Sequence, residues 1–188
     1  MYSRRSNLIL GFHGCDKDVA LRIINNEMEM SPSEHDYDWL GHGIYFWENN
    51  YERALHFAKQ YANDPYHNIK TPFVLGAVID LGYCLDFLES KYLDLLHDAY
   101  DQFKKLAEME NIPMPRNVLG PDKVLRKLDC AVIEFLHKMT EEQPFDSVRG
   151  VFFEGNELYP NAGFKEKNHI QLCIKNPDCI KGFFIPRV

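Results

Sequence analysis

The stretch Gly41–Phe57, reading GHGIYFWENNYERALHF, constrains the fold of this chain more than any other. Gly41 and Gly43 bracket His42 and let the backbone approach a ligand or a neighbouring strand closely. Ile44-Tyr45-Phe46-Trp47 is apolar, β-branched and aromatic, which predicts a short strand. Asn49 or Asn50 can cap a following helix. On that helix Ala54, Phe57, Ala58 and Tyr61 recur at helical spacing as one apolar stripe. The unit is a glycine turn, a strand ending in aromatics, and a helix packed back on it.

An earlier segment has the same logic. Leu8-Ile9-Leu10-Gly11-Phe12-His13-Gly14 predicts a buried strand ending at His13. Asp16 can cap a helix carrying Val19, Ala20, Ile23 and Ile24, and a turn-rich loop, 31–38, follows. Pro72–Leu81 is almost continuously apolar, the pattern of a central strand buried on both faces. Asp86–Asn111 predicts a long helix, stopped by Pro113 and Pro115, and Pro121–Met139 a second. Val148–Glu154 is another strand, and Gly155–Asn168 a loop without periodicity. His169–Lys175 and Cys179–Pro186 predict two strands joined by a tight antiparallel turn at Asn176-Pro177-Asp178. The fold class is α+β: a split antiparallel sheet or sandwich with covering helices. Residues 1–188 form one domain, with 86–143 as a two-helix insert whose plainer role is to cover the sheet.

Composition narrows the chemistry. Net charge is −7, so bulk electrostatics do not favour nucleic acid. The charge is uneven, acidic over 86–110 and basic over 165–188. Cys15, Cys84, Cys130, Cys173 and Cys179 are odd in number, scattered and mostly inside apolar runs, which predicts buried free thiols and a reducing compartment. No spacing matches a metal site. No G-x-G-x-x-G follows the first strand and no nucleophile elbow is present. The apolar run after Met1-Tyr2-Ser3-Arg4-Arg5 is too short for a signal peptide, and no membrane span is expected.

His13-Gly14 at a strand end, A-x-x-I on the next helix, and Gly43-Ile44-Tyr45-Phe46 with Ala54 nine residues beyond the tyrosine together resemble the ADP-ribosyltransferase superfamily. They are most similar to the branch shared by diphtheria toxin and the poly(ADP-ribose) polymerases. The resemblance implies NAD as substrate, no metal, and a mono-ADP-ribosyltransferase that passes ADP-ribose to a protein or nucleic-acid acceptor. The class includes bacterial and phage toxins or effectors acting in a cytoplasm, including a host's, some with a cognate inhibitor or antitoxin; no membrane partner is implied. Of the histidine, tyrosine and glutamate that mark the family, His13 takes the first place and Tyr45 the second. Gln171 stands where the glutamate is expected.

That exchange bears on the chemistry. Breaking the nicotinamide–ribose bond builds oxocarbenium-like charge on the ribose. A carboxylate hydrogen-bonded to the ribose hydroxyl stabilises that charge, whereas a glutamine supplies the bond without the charge. Losing one such preorganised contact costs about 3–4 kcal/mol. Gln171 therefore implies a slow enzyme, a helper carboxylate, or a silent NAD or ADP-ribose binding module. Glu154, at a strand end, is preferred as helper over Glu166 in the loop. The resemblance further implies that His13 holds an adenosine ribose hydroxyl, Gly14 offers its backbone to the nicotinamide amide, and Tyr45 stacks on the nicotinamide. A second stacking group falls at His56 or its neighbour Phe57. Arg53 replaces a small hydroxyl residue, which could alter nicotinamide binding or let Arg53 reach a phosphate, but solvated helix surface is its plainer reading. Lys167 and His169 could meet an acceptor or the pyrophosphate, with surface charge the plainer reading for both. A third expectation is a plain interaction domain that uses the helical pair.

Overall fold

The computed structural model describes residues 8–62, 64–65 and 67–187. The basic opening stretch 1–5 lies outside the described residues. In chain order the elements are β1 (Leu8–Asp16), α1 (Lys17–Ile24), β2 (Ile44–Glu48), α2 (Tyr51–Gln60), β3 (Pro72–Asp80), β4 (Cys84–Asp86), α3 (Ser90–Met109), β5 (Asn117–Val118), β6 (Leu125–Arg126), α4 (Lys127–Met139), β7 (Ser147–Phe152), β8 (His169–Ile174) and β9 (Ile180–Phe184). Seven strands form one sheet in the order β4-β7-β8-β2-β1-β3-β9, and β5-β6 is a separate hairpin. Among the described residues of the sheet, only β4–β7 is parallel. The class is α+β, as expected.

The register decides which residues share a face. Gly11 pairs with Glu48 and Phe12 with Trp47; Tyr45 pairs with Cys173 and Trp47 with Gln171. Paired residues of an antiparallel ladder point to the same side, and the side alternates along each strand. One face therefore carries Ile9, His13, Ile44, Phe46, Ala77, Ile79, Leu172 and Ile174, packed by Met30, Ile180 and Phe183, with α1 set on it through Ala20 and Ile23. The other carries Phe12, Tyr45, Trp47, Val148, Phe152 and Cys173. It is covered by α2 through Ala54, Leu55 and Phe57, and by α3 and α4 through Ala99, Val132 and Leu136.

The expected split sandwich is a single sheet with a weak seam. β1 and β3 run paired from Leu8↔Asp80 to Asp16↔Pro72, but β1 and β2 share only the two positions named above. Beyond the seam the strands part.

Asp16 accepts from Asp18 N and caps α1, and Asn50 accepts from Arg53 N and caps α2. Two expectations are corrected. The helix expected from Pro121 begins at Lys127, because 117–126 folds into the β5–β6 hairpin. Its first amides are satisfied from a distance: Asn117 Oδ1 accepts from Leu128 N at 2.9 Å and Asp129 N at 3.2 Å. The second is the hairpin at Asn176-Pro177-Asp178. β8 already has β7 and β2 on its two sides, so no edge is left for β9. A 3-10 turn at Pro177–Cys179 sends the chain to the far edge, beside β3.

Candidate functional site

A cleft of about 180 Å3 opens where β1 and β2 part. His13, Ile23, Met30, Ser33, Gly43 and Tyr45 are in its lining. A second cleft of about 480 Å3 adjoins it and shares Ile23, Met28, Glu29, Met30 and Ile44. The first alone is below the roughly 300–1,000 Å3 of small-molecule sites, and the second lies within that range.

His13 Nδ1–H donates to Tyr45 O at 2.8 Å, bridging the strands just past the seam. Burial lowers the pKa of this imidazole against the opposing pull of that bond. Its ring meets Phe46 edge-on. The phenol of Tyr45 leaves the sheet on the opposite face, because it is one residue out of step with Phe46. Its hydroxyl donates to Gly41 O at 2.6 Å and accepts from Leu40 N at 2.8 Å, and burial raises its pKa well above the ordinary value. Tyr45 braces the glycine turn at the mouth of the cleft; the expected arrangement of imidazole and phenol facing each other across one dinucleotide is not what the register gives. Gly41 has φ +78°, which a glycine supplies without strain.

The remaining residues collect on the Tyr45 face. Arg53 is buried, not solvated helix surface, at 9% exposure. It donates from Nη2 to Glu154 Oε2 at 2.6 Å and lies 5.3 Å from the centre of the Trp47 ring. Phe57 packs on Trp47 at 5.1 Å, while His56 points outward and is exposed. Of that pair Phe57 is the one turned to the site. Gly14 is the floor on which α2 rests: a Cβ there would press into Ala54 O. Gln171 sits opposite Trp47, and its Oε1 is buried without a partner. His169 corrects the surface expectation as well, at 5% exposure.

His169 Nδ1–H donates to Lys167 O at 2.6 Å. Burial lowers its pKa against that bond, so the ring is neutral near pH 7 and Nε2 is a bare acceptor. Its ring lies between Trp39, Trp47 and Phe152. The Arg126 guanidinium covers Trp39 at 4.1 Å and Phe152 at 4.8 Å. Neither helper carboxylate is free. Glu154 faces Arg53 and, at 3.5 Å, Lys167; Glu166 accepts from the Asn156 backbone and side chain. Trp39, Trp47 and Arg126 were not anticipated from sequence. Trp47 was visible as part of the aromatic run after the glycine turn, but nothing local linked it to a helix start eighty residues on.

No protein-family profile matches the chain, and no solved structure matches it. The chain is 30% identical over 194 aligned residues, covering 90% of its own length and 83% of the relative, to the uncharacterized protein MJ0359 of Methanocaldococcus jannaschii. At that identity and coverage the chain belongs to the family of this archaeal protein.

Proposed function

We propose that this chain is an ADP-ribosyltransferase-like domain that takes NAD and passes its ADP-ribose to a macromolecular acceptor. The observation that carries the reading is the adjacency of β1, β2 and β8, bearing His13, Tyr45 and Gln171 at neighbouring positions of the sheet, with His13 in the cleft on one face and the side chains of Tyr45 and Gln171 on the other. In the reaction the bond from ribose C1′ to the nicotinamide nitrogen breaks. Nicotinamide leaves with the electron pair, C1′ bonds to the acceptor nucleophile, and the acceptor loses its proton. Gln171 Oε1, buried and without a partner, fits a ribose hydroxyl as donor. The loop 155–168 flanks this face and is the natural place for acceptor choice. The test is label transfer and nicotinamide release from labelled NAD in cell extract. Gln171→Glu is expected to raise turnover and His13→Ala to lower it. Equal, background-level release from wild type and both variants would end the transferase reading.

A second reading follows from one observation. Glu154 is already held by Arg53 and Lys167, and Glu166 by Asn156, so neither of these two carboxylates stands free to supply the charge that Gln171 lacks. The same site then binds NAD or ADP-ribose without turnover. Calorimetric titration with NAD separates the two: saturable heat without nicotinamide release supports the binder.

A further inference from the structure

Two buried arginines, Arg149 on β7 and Arg53 on α2, are treated in opposite ways. Arg149 has every side of its guanidinium filled: Nε and Nη2 donate to Glu48 at 2.6 and 2.9 Å, and Nη1 to Asp86 at 3.0 Å. Arg53, comparably buried, makes one bond among the described residues, to Glu154, and leaves Nε and Nη1 without partners there. A buried guanidinium with empty donors is costly and rare in a finished structure.

Arg53 is not alone in this. Trp47 Nε1, Arg126 Nε, His169 Nε2 and Gln171 Oε1 are also buried without partners. Ring contacts run from Arg53 to Trp47, His169, Trp39 and Arg126 in turn, and Gln171 pairs with Trp47 across the strands. The empty groups are of two kinds. The arginines and Trp47 offer N–H donors. Gln171 Oε1 accepts, and so does His169 Nε2, whose tautomer is set by the Nδ1–H bond to Lys167 O.

We propose that this aromatic-walled box binds a phosphate monoester carried on a hydroxylated sugar. The phosphate oxygens accept from the guanidiniums, a match in charge and planar geometry. The sugar hydroxyls donate to Gln171 and His169, and the ring faces of Trp39 and Trp47 cover the apolar side. Inorganic phosphate would fill the donors and leave the acceptors empty. Glu154 does not repel the anion strongly, since Arg53 and Lys167 already face it. Farther out, Arg126 meets Asp129 at 3.7 Å and Lys165 meets Asp122 at 2.6 Å. Arg126 is the cover. Its one hydrogen bond, to Asp122 O, is 3.4 Å long, and its side chain keeps 20% exposure at the rim, so entry requires moving one loosely held side chain. The site shares Gln171 with the NAD reading and rests on it there, while the phosphate contacts to Arg53 and Arg126 require no step of ADP-ribose transfer.

The chain holds two tryptophans, and both line the box, so their fluorescence reports on it directly. AMP and ribose 5-phosphate are titrated against adenosine and inorganic phosphate. Saturable quenching by both phosphate esters is expected, with adenosine and inorganic phosphate each roughly tenfold weaker or more, as loss of charged or hydroxyl contacts implies. Arg126→Ala, at the rim, keeps the wild-type circular dichroism and weakens AMP by a similar factor; Arg53→Lys, if folded by the same criterion, does so too. The proposal is overturned if neither ester gives a saturable response, if adenosine equals AMP, or if Arg126→Ala binds AMP like wild type. Nicotinamide release is a separate signal. Ester binding without release leaves the box and removes the transferase, and release without ester binding does the reverse.

Discussion

Arg149 and Arg53 differ in what their removal leaves behind. Arg149→Met strands Glu48 and Asp86, two largely buried carboxylates with no other cation within salt-bridge distance among the described residues, and breaking a buried pair in this way costs roughly 3–5 kcal/mol. Arg53→Met strands only Glu154, which keeps Lys167, and it removes the empty donors as well. Urea denaturation should therefore show a much larger loss for Arg149→Met than for Arg53→Met; equal losses would mean that Arg53 is as firmly built in as Arg149. Buried histidines set a second residue-level expectation. Burial lowers His13 and His169 below the ordinary 6.5 and takes His137 down to about 4. Each is bound neutral in the fold and protonates more readily when unfolded, so the stability it contributes is complete above pH 6.5 and falls as pH drops from there toward the folded value. For His137 the loss by pH 5 is on the order of 2 kcal/mol. The melting temperature should decline between pH 6.5 and 4, and His137→Phe should flatten that decline. A melting temperature constant over this range would contradict the burial of all three.

At the scale of elements, the tightest junction is α2 on β1. Gly14 lets the carbonyl of Ala54 sit against the strand, and Ala54 and Ala58 are both fully buried there. Gly14→Ala should push α2 outward and cost roughly 1–3 kcal/mol, the usual range for overpacking, measured by thermal unfolding; a stability equal to wild type would mean that α2 already stands clear. Much of this level was legible in the residues. The apolar runs 44–47 and 72–81 marked the strands, and Asp16 and the pair Asn49-Asn50 marked the helix starts, with Asn50 the one that caps. What escaped was long-range. The start of α4 is set by Asn117, across a hairpin no local signal announced. The path of β9 is set by β8 having no free side. Arg53 looked like solvent-facing helix because its partner, Trp47 aside, is Glu154 just past β7, about a hundred residues away. The relative faces of His13 and Tyr45 depended on a cross-strand register that spacing alone cannot supply.

Across the whole molecule, one weak line divides the sheet. On one side β1, β3 and β9 pair along most of their length; on the other β2, β8, β7 and β4 do the same. Between them β1 and β2 share two paired positions, so backbone hydrogen bonding contributes little to holding the halves together. Side chains hold them instead. Phe46, fully buried, belongs to the core cluster that includes Ala77 and Ile79 from one half and Leu172 and Ile174 from the other. Gly11 leaves room for this contact: a Cβ there would lie 2.9 Å from Phe46 Cβ and 2.5 Å from Ile79 Cδ1. The cleft lined by His13 and Tyr45 opens at the end of the same seam, so the division that weakens the sheet also makes room for a ligand. Native-state hydrogen exchange should then find the β1–β2 amides opening at lower free energy than those between β7 and β8, as local units of a sheet do when few bonds cross between them. Phe46→Ala removes the main side chain bridging the halves and should cost about 3–5 kcal/mol. It should speed exchange at the seam more than at the β7–β8 ladder. Exchange that accelerates uniformly over all seven strands would mean that the halves open as one unit and that the seam is a feature of pairing alone.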